Sequence, residues 1–271
     1  KYGLISINVE EDTKRYYPHN ELAASVIGFT SSGGEGMYGV EAYYDDYLAG
    51  VDGKTISAKD SNGNELPYRY SKTYSAKNGD DVYLTIDSDI QYCLEKHLSE
   101  MVSQFEVKNR ACAILMNVKT GAIYGMATNP SFDLNEPYEV ADPVAIERIS
   151  KLTGDAATKA TAEAREAQWK NKCITEIYEP GSVFKVITSA SAIEENLINL
   201  ENDSFYCSGS VTIAGAEPIH CHDWSGHGSQ TFQQALTNSC NPAFMEIGSR
   251  LGIQKFCYYY EAFGLKERTG I

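Results

Sequence analysis

Residues 178–185 read YEPGSVFK, and this stretch decides how the rest of the chain is organised. Pro180 and Gly181 end the segment before them. Ser182 can then cap a new helix, because its hydroxyl can accept hydrogen bonds from the free N–H groups of the first turn. The residues that follow are mostly apolar, so we expect a buried helix. Its apolar positions are Val183, Phe184, Val186, Ile187, Ala190 and Ile193.

Ser182 and Lys185 are separated by almost one helical turn, so both side chains are expected on one face. A lysine in an apolar setting loses affinity for its proton and can act as the base that activates a serine hydroxyl. The N-terminus of the helix also directs N–H groups at any oxyanion that forms there. The alternative interpretation is a capping serine beside a surface lysine, a combination that composition alone makes common.

A second polar motif, NSCNP at residues 238–242, follows one predicted helix and precedes another. A loop between two helices can direct Ser239 and Asn241 into a cleft. There Ser239 can relay a proton, and the amide of Asn241 can hold a substrate amide through one donor and one acceptor. The alternative is an ordinary capped turn, because serine, asparagine and proline are common turn residues.

Together these motifs resemble the serine-active penicillin-binding proteins, for which Ser-x-x-Lys is a signature. The similarity is greatest to class B, the monofunctional transpeptidases that cross-link peptidoglycan, including division and sporulation types. Other segments similar to that family lie at residues 15–18, 22–29, 39–41, 48–50, 84–87 and 227–241.

The resemblance implies an α+β fold with two parts. Residues 1–78 would be the C-terminal part of a β-rich pedestal, or dimerisation, domain. Residues 79–271 would be the N-terminal, incomplete portion of a transpeptidase domain, in which helices pack on an antiparallel sheet.

The resemblance also implies a peptidoglycan D,D-transpeptidase in which Ser182, Lys185 and Ser239 are catalytic and Asn241 binds substrate. It implies no cofactor and no metal. The expected partners are D-Ala-D-Ala stem peptides, β-lactams and cell-envelope assembly proteins. Two other classes of function stay open. A β-lactamase or β-lactam sensor would share Ser-x-x-Lys, and a non-catalytic cell-envelope scaffold would keep the fold without needing the serine.

A Lys-Thr-Gly sequence, the third signature of these enzymes, occurs at residues 119–121, ahead of Ser182 rather than after it. We interpret it as the turn of a hairpin between residues 111–118 and 122–127. No Lys-Thr-Gly or Lys-Ser-Gly follows residue 241. We therefore expect β-lactam acylation of this stretch alone to be weak or absent, because the strand with that motif supplies one oxyanion donor in the family.

The net charge of −14, with an isoelectric point near 4.8, argues against nucleic-acid binding and against docking on an anionic membrane surface. No apolar run approaches the roughly 18 residues that span a bilayer. Since the family normally has an N-terminal anchor, we expect a soluble ectodomain fragment. The parent protein would lie on the extracytoplasmic face of a bacterial cell membrane.

The seven cysteines are an odd number, so at least one has no disulfide partner within the chain. Cys207 and Cys221 are the first pair to test, because both lie in one turn-rich segment. The oxidation state of Cys240, inside the second motif, is a hypothetical gate of the site. Residues 204–228 also hold metal-ligand types, namely Cys207, His220, Cys221, His222, Asp223 and His227. Their spacing lacks Cys-x-x-Cys or His-Glu-x-x-His, so we do not predict zinc.

Local patterns give further expectations. Residues 1–78 read as strands and turns, with one strand at residues 4–7 and a turn at 62–64. A short strand is expected at residues 82–86, followed by a helix capped by Asp87 or Ser88. Residues 155–170 should form an exposed helix whose end is fixed to the core by Trp169.

Overall fold

The computed structural model describes residues 14–56, 72–108, 110–213 and 217–271. The strand expected at residues 4–7 and the turn at 62–64 lie outside these residues. Helices and small antiparallel sheets form two compact units, residues 1–176 and 177–271, so the α+β class is confirmed. In the described ranges, no helix is both long and apolar enough to cross a membrane. The predicted domain boundary near residue 78 remains a prediction.

The first unit contains seven helices and two hairpins within its described residues. Its helices are α1 (Ala24–Ile27), α2 (Gly39–Tyr43), α3 (Asp45–Leu48), α4 (Ser88–Gln104), α5 (Pro143–Ser150), α6 (Gly154–Trp169) and α7 (Lys172–Thr175). Its strands are β1 (Lys54–Ile56), β2 (Lys72–Tyr74), β3 (Ala111–Met116) and β4 (Ile123–Asn129), paired as β1–β2 and β3–β4.

Helix α4 and the β3–β4 hairpin confirm two sequence predictions. The Asp87 side chain caps α4 by accepting from the N–H groups of Asp89 and Ile90, each at 3.0 Å. Gln91, which is fully buried, joins the helix to β4. Its amide donates to Met126 O at 2.9 Å and accepts from Met126 N at 2.8 Å. The Lys-Thr-Gly sequence forms the turn of the hairpin, as expected.

Two predictions for the first unit were wrong. Residues 82–86 form no strand. They run beside the start of β4 with isolated bonds, from Thr85 Oγ1 to Ile123 O and then from Asp87 N to Tyr124 O. Residues 24–48 contain three short helices that were not predicted, and turns with one isolated bridge, Thr30 to Gly36, lie between the first two of them. The chain folds back so closely here that a Cβ on Gly28, at φ 73°, would lie 1.7 Å from Tyr38 O.

The core of the first unit is aromatic. Trp169, at the end of α6, packs its ring 5.3 Å from both Phe29 and Tyr38, measured between centroids. Its indole N–H donates to Pro137 O at 2.7 Å. Trp169 therefore fixes the end of α6 to the core, as predicted, while most of the remaining helix surface is exposed.

An ion pair between the half-exposed Arg15 and the buried Glu41 joins two segments of the first unit that the sequence analysis had singled out. Glu41 is 6% exposed and accepts from Arg15 Nε at 2.7 Å and from Arg15 Nη2 at 3.0 Å. The hydroxyl of Tyr17 lies 3.4 Å from the same carboxylate and accepts from Thr30 N. Burial, followed by the charge of Glu41, raises the pKa of Tyr17, so this phenol stays protonated.

The second unit begins with a 3₁₀ turn, Gly181–Phe184, that leads directly into α8 (Lys185–Glu194). Two small antiparallel sheets follow, in which β5 (Ser204–Cys207) pairs with β8 (Gly228–Thr231) and β6 (Ser210–Val211) pairs with β7 (Ile219–His220). Helices α9 (Phe232–Thr237) and α10 (Asn241–Ala262) complete it. α10 bends at Gly252, whose φ is 73°.

The core of the second unit combines apolar residues with three thiols. Its largest buried members are Phe205, Phe232, Phe244 and Ile247. Cys207, Cys221 and Cys240 lie among them at 1%, 1% and 0% exposure. Helix α9 begins with a full capping box between Thr231 and Gln234, which fixes its start and hence the position of the loop that follows.

Candidate active site

The local structure around Ser182 differs from the expectation in two respects. Ser182 lies inside the 3₁₀ turn and its hydroxyl caps no helix, because Gly181, at φ 57°, makes the sharp entry that a capping serine was expected to make. The large apolar residues of this segment also do not form a buried face as expected, because Val183 and Val186 are 71% and 62% exposed.

The buried face of α8 instead carries small side chains. Thr188, Ser189, Ser191 and Ala192 are its buried residues, and α10 is the helix packed most extensively against α8. The hydroxyl of Ser191 is satisfied within its own helix, because its Oγ donates to Ile187 O at 2.8 Å. The first turn of α8 therefore keeps its position beside the start of α10.

The amine of Lys185 is the centre of the site. Its Nζ lies 3.2 Å from Ser182 Oγ, 3.0 Å from Ser239 Oγ, 2.6 Å from Ser239 O and 2.7 Å from Asn241 Oδ1. An ammonium has three N–H donors and a neutral amine has two donors and one lone pair. Four oxygens therefore exceed the donors of either form, and a hydroxyl can donate to the neutral amine instead.

Ser239 contributes both of its oxygens because its backbone is left-handed, with φ 48°. A non-glycine residue in that region carries conformational strain, which is found most often at functional sites. Hydrogen bonds hold the turn: Ser239 N donates to Leu236 O at 3.0 Å and Cys240 N donates to Ala235 O at 2.9 Å. The strain thus directs the carbonyl and the hydroxyl toward one amine.

Asn241, the first residue of α10, is engaged at both ends of its amide. Its oxygen accepts from Lys185, and its Nδ2 donates to His220 O at 3.0 Å. The predicted role was to hold a substrate amide by one donor and one acceptor. In this arrangement the oxygen is already used by Lys185, and one N–H remains free for a substrate carbonyl.

Lys185 has no carboxylate within 4.0 Å among the residues that the structure describes. Burial lowers the pKa of Lys185, and the nearby thiols of Cys221 and Cys240 oppose that shift. The ring of Phe244 lies 5.5 Å from the amine. An amine held by neutral oxygens and a ring, without a counter-ion, loses its proton more readily than a paired surface lysine.

A cleft of about 520 Å³ opens beside this cluster. It is lined by Ser182, His222, Thr237, Asn238, Ser239 and Asn241. Ser182 and Ser239 therefore face a volume that can hold a peptide end, with the Lys185 amine bridging them. The structure thus brings together all four predicted site residues: Ser182, Lys185, Ser239 and Asn241.

A second cluster in this unit was not predicted. Side-chain ligand atoms of Cys207, Cys221, His227 and Cys240 all lie within 4.8 Å of one another. All cysteines are free thiols, so the Cys207–Cys221 pair is not a disulfide here. Sequence spacing missed the cluster because its members come from four separate segments. The only sequence signal was the abundance of cysteine and histidine at residues 207–227.

Two protein-family models match the chain. The penicillin binding protein transpeptidase domain matches residues 111–271, and the penicillin-binding protein dimerisation domain matches residues 1–84.

Named relatives match over almost the whole chain. It is 35% identical over 268 residues to stage V sporulation protein D of Bacillus subtilis, covering 99% of this chain and 38% of that protein. It is 27% identical over 271 residues to peptidoglycan D,D-transpeptidase FtsI of Escherichia coli, covering 100% and 41%. The chain therefore spans about two fifths of the length of these relatives.

Solved structures agree on the fold. A peptidoglycan synthetase from Bifidobacterium adolescentis superposes with a TM-score of 0.74 at 23% identity, covering 97% of this chain and 42% of that one. Penicillin binding protein 3 from Mycobacterium tuberculosis gives 0.69 at 25% identity, covering 94% and 48%. The latter protein has also been solved in complex with aztreonam.

Proposed function

The chain belongs to the penicillin-binding protein transpeptidase family, and from that premise we propose that the protein cross-links peptidoglycan stem peptides as a serine D,D-transpeptidase. The observation that carries the proposal is the 3.2 Å approach of Lys185 Nζ to Ser182 Oγ, at an amine that has no carboxylate partner among the described residues. A base within hydrogen-bond reach of a hydroxyl is the first requirement for nucleophilic serine catalysis.

In the proposed reaction, Ser182 Oγ attacks the carbonyl carbon between the two D-alanines of a stem peptide, and Lys185 takes the hydroxyl proton. The tetrahedral intermediate then collapses as the C–N bond breaks. The leaving D-alanine amine receives a proton from Lys185, and Ser239 Oγ, 3.0 Å from that amine, relays it. The product of this half-reaction is an ester between Ser182 and the shortened peptide.

In the second half-reaction, an amine from a neighbouring stem peptide attacks the ester carbonyl. Lys185 accepts a proton from the attacking nitrogen, and the Ser182 oxygen leaves and is reprotonated. A new amide bond has formed, and the enzyme returns to its starting state. In this proposal the second N–H of Asn241 Nδ2, whose first N–H donates to His220 O, would donate to a backbone carbonyl of the donor peptide.

β-Lactams would acylate Ser182 because their strained amide mimics the scissile bond. This agrees with the aztreonam complex of the Mycobacterium tuberculosis relative. We also propose that the protein acts on the extracytoplasmic face of a bacterial membrane, beside other cell-envelope assembly proteins. The named relatives serve in sporulation and as peptidoglycan D,D-transpeptidases, and this chain's own process is not assigned.

The test is labelling of the full-length protein with a fluorescent penicillin, followed by mapping of the adduct by peptide mass. Wild type should carry one label on Ser182, and Ser182→Ala should carry none. Ser249→Ala, which removes an exposed serine of α10, is the matched control and should label normally. Labelling that persists in Ser182→Ala would refute the assignment. Rapid loss of the adduct by hydrolysis would favour the β-lactamase alternative.

A further inference from the structure

Four metal-ligand side chains converge in the core of the second unit. Cys207 ends β5, Cys221 follows β7, His227 precedes β8, and Cys240 is the N-cap of α10. Their ligand atoms lie within 4.8 Å of one another, and the three thiols are almost completely buried. The proposed transpeptidase chemistry uses none of these four side chains.

The geometry is close to that of a tetrahedral metal site. Zinc binds cysteine sulfur at about 2.3 Å and histidine nitrogen at about 2.0–2.1 Å, so neighbouring ligand atoms lie roughly 3.5–3.8 Å apart. Cys221 Sγ is already 3.6 Å from His227 Nδ1. The remaining separations, at most 4.8 Å, close to that tetrahedron through side-chain shifts of about 1 Å or less.

Polar donor groups lie close to two of the buried sulfurs. The backbone N–H groups of His227 and Gly209 point at Cys207, and the N–H of Ala243 and the side chain of Gln230 point at Cys240. Gln230 Nε2 is buried and has no hydrogen-bond partner in the described ranges. Donors of this kind are the outer contacts that orient ligands and stabilise charge in metal sites.

The turns that carry the ligands are built for close backbone approach. Gly209 has φ 93°, and a Cβ there would lie 2.2 Å from Trp224 O. Gly226 has φ 82°, and a Cβ there would lie 2.4 Å from Cys207 O. The two glycines therefore let the segments around Cys207 and His227 wrap around one point, which a purely apolar packing of thiols would not need.

We propose that Cys207, Cys221, His227 and Cys240 form a zinc site of the Cys₃His type. The three thiols release their protons on binding, and the imidazole binds in its neutral form. Four protein ligands leave no open position for water or substrate, so the site is structural. A disulfide explains the cluster less well than a metal does. It would use two of the sulfurs and leave the third buried thiol and the partly buried His227 imidazole without a role.

The site would also position the catalytic loop, a consequence that rests on the proposed function. Cys240 lies between Ser239 and Asn241, the residues whose oxygens surround Lys185. Anchoring Cys240 to a metal would fix the left-handed turn at Ser239 and the start of α10 together. Cys240 is therefore a positioning residue for both neighbours.

The experiment starts with the full-length protein purified in zinc-containing buffer, then gel filtered and assayed for metal by elemental mass spectrometry. We expect about one zinc per chain. Exchange with Co²⁺ should give the intense visible absorption of tetrahedral cobalt and the near-ultraviolet thiolate charge-transfer band. Cys207→Ser and His227→Ala should lower metal affinity by more than about tenfold. Cys257→Ser, an exposed cysteine of α10, is the matched control and should retain the metal.

Several outcomes would overturn the proposal. They are wild type without retained metal, a disulfide among the three cysteines in anaerobically handled protein, or equal metal loss in Cys257→Ser. If the ligand variants do not fold, the metal content and cobalt spectrum of wild type still decide. Ser182→Ala should keep its zinc, so failure of the catalytic proposal is distinguishable. Chelation that leaves the penicillin acylation rate of wild type unchanged would refute the positioning role.

Discussion

The Glu41 carboxylate in the first unit and the Lys185 amine in the second each gather polar groups from distant parts of the chain, with opposite results. Glu41 is matched by a bidentate arginine, so its charge is neutralised. Lys185 is surrounded by four uncharged oxygens and no carboxylate in the described ranges, and a cleft opens beside it. A closed network stabilises a fold, whereas an open one with an unbalanced charge is available for proton transfer.

Lys185→Ala should give the largest effect. If the amine is the base, the second-order rate of penicillin acylation should fall by about 10²–10⁴-fold, because general bases contribute that much. The melting temperature should change little, since a charge without a counter-ion contributes little stability. The control is Lys255→Ala, whose amine pairs with Glu195 on the surface of the same unit and should leave the rate unchanged. Near-normal acylation of Lys185→Ala would remove the distinction between the two networks.

Glu41→Ala should show the opposite pattern. Loss of the buried carboxylate leaves the half-exposed Arg15 without its partner and should cost about 2–3 kcal/mol of unfolding free energy, less than for a fully buried pair. Denaturant melts should measure this loss, while the acylation rate of the folded fraction stays normal. Glu147→Ala breaks the exposed pair with Lys151 and should cost under about 0.5 kcal/mol. Equal costs for both variants would contradict the closed-network interpretation.

Ser239 offers a way to separate backbone strain from chemistry. Ser239→Gly and Ser239→Ala both remove the hydroxyl and should slow acylation by about 10–100-fold through the lost proton relay. Only glycine adopts φ 48° without strain, so Ser239→Gly should be more stable than Ser239→Ala by about 1 kcal/mol. The comparison needs acylation rates and melts on both variants. A faster Ser239→Gly than wild type would show that the hydroxyl has no role.

Glu95, also in the first unit, should give the smallest effect. It is a carboxylate that, unlike Glu41, has no arginine partner among the described residues. It accepts from Ala23 N and Gln91 Nε2 but has no cation within 4.0 Å among the described residues, and burial raises its pKa. Because the folded pKa lies above the unfolded one, folding takes up a proton, and stability from this group increases as pH falls through the folded pKa. Glu95→Gln should abolish that step and raise the unfolding free energy at pH 7, which denaturant melts between pH 4 and pH 8 should measure. An unchanged pH profile in this variant would contradict the shift.

Sequence patterns predicted the elements whose determinants are local. The cap at Asp87 with a periodic helix, the β3–β4 hairpin and the end of α6 at Trp169 all formed as expected. The short helices of residues 24–48 were missed, because they depend on positive φ at glycines and on aromatic contacts with residues over a hundred positions away. Distant contacts of that kind have no signature in a sequence window.

The candidate site likewise has features that the sequence predicted and features that it did not. Ser-x-x-Lys and the Ser-x-Asn loop are short motifs, so the sequence alone could propose the four residues that the structure brings together. Two details of their arrangement were not foreseen: Ser182 caps no helix, and the Asn241 oxygen is already engaged by Lys185. The Cys₃His cluster was not predicted, because its ligands are separated by irregular spacings in the sequence. The β5–β8 and β6–β7 strand pairs and the start of α10 bring these ligands together.

The place of Cys240 between Ser239 and Asn241 has a pharmacological consequence. β-Lactams must react with a serine and compete with the natural peptide for one cleft. A cadmium ion that replaced zinc in the proposed Cys₃His site would instead alter the oxygens around Lys185 through Cys240, which is buried, and would leave the serine untouched. Inhibition by that route would be insensitive to substrate concentration, and a changed cleft that excludes β-lactams would give no resistance to it.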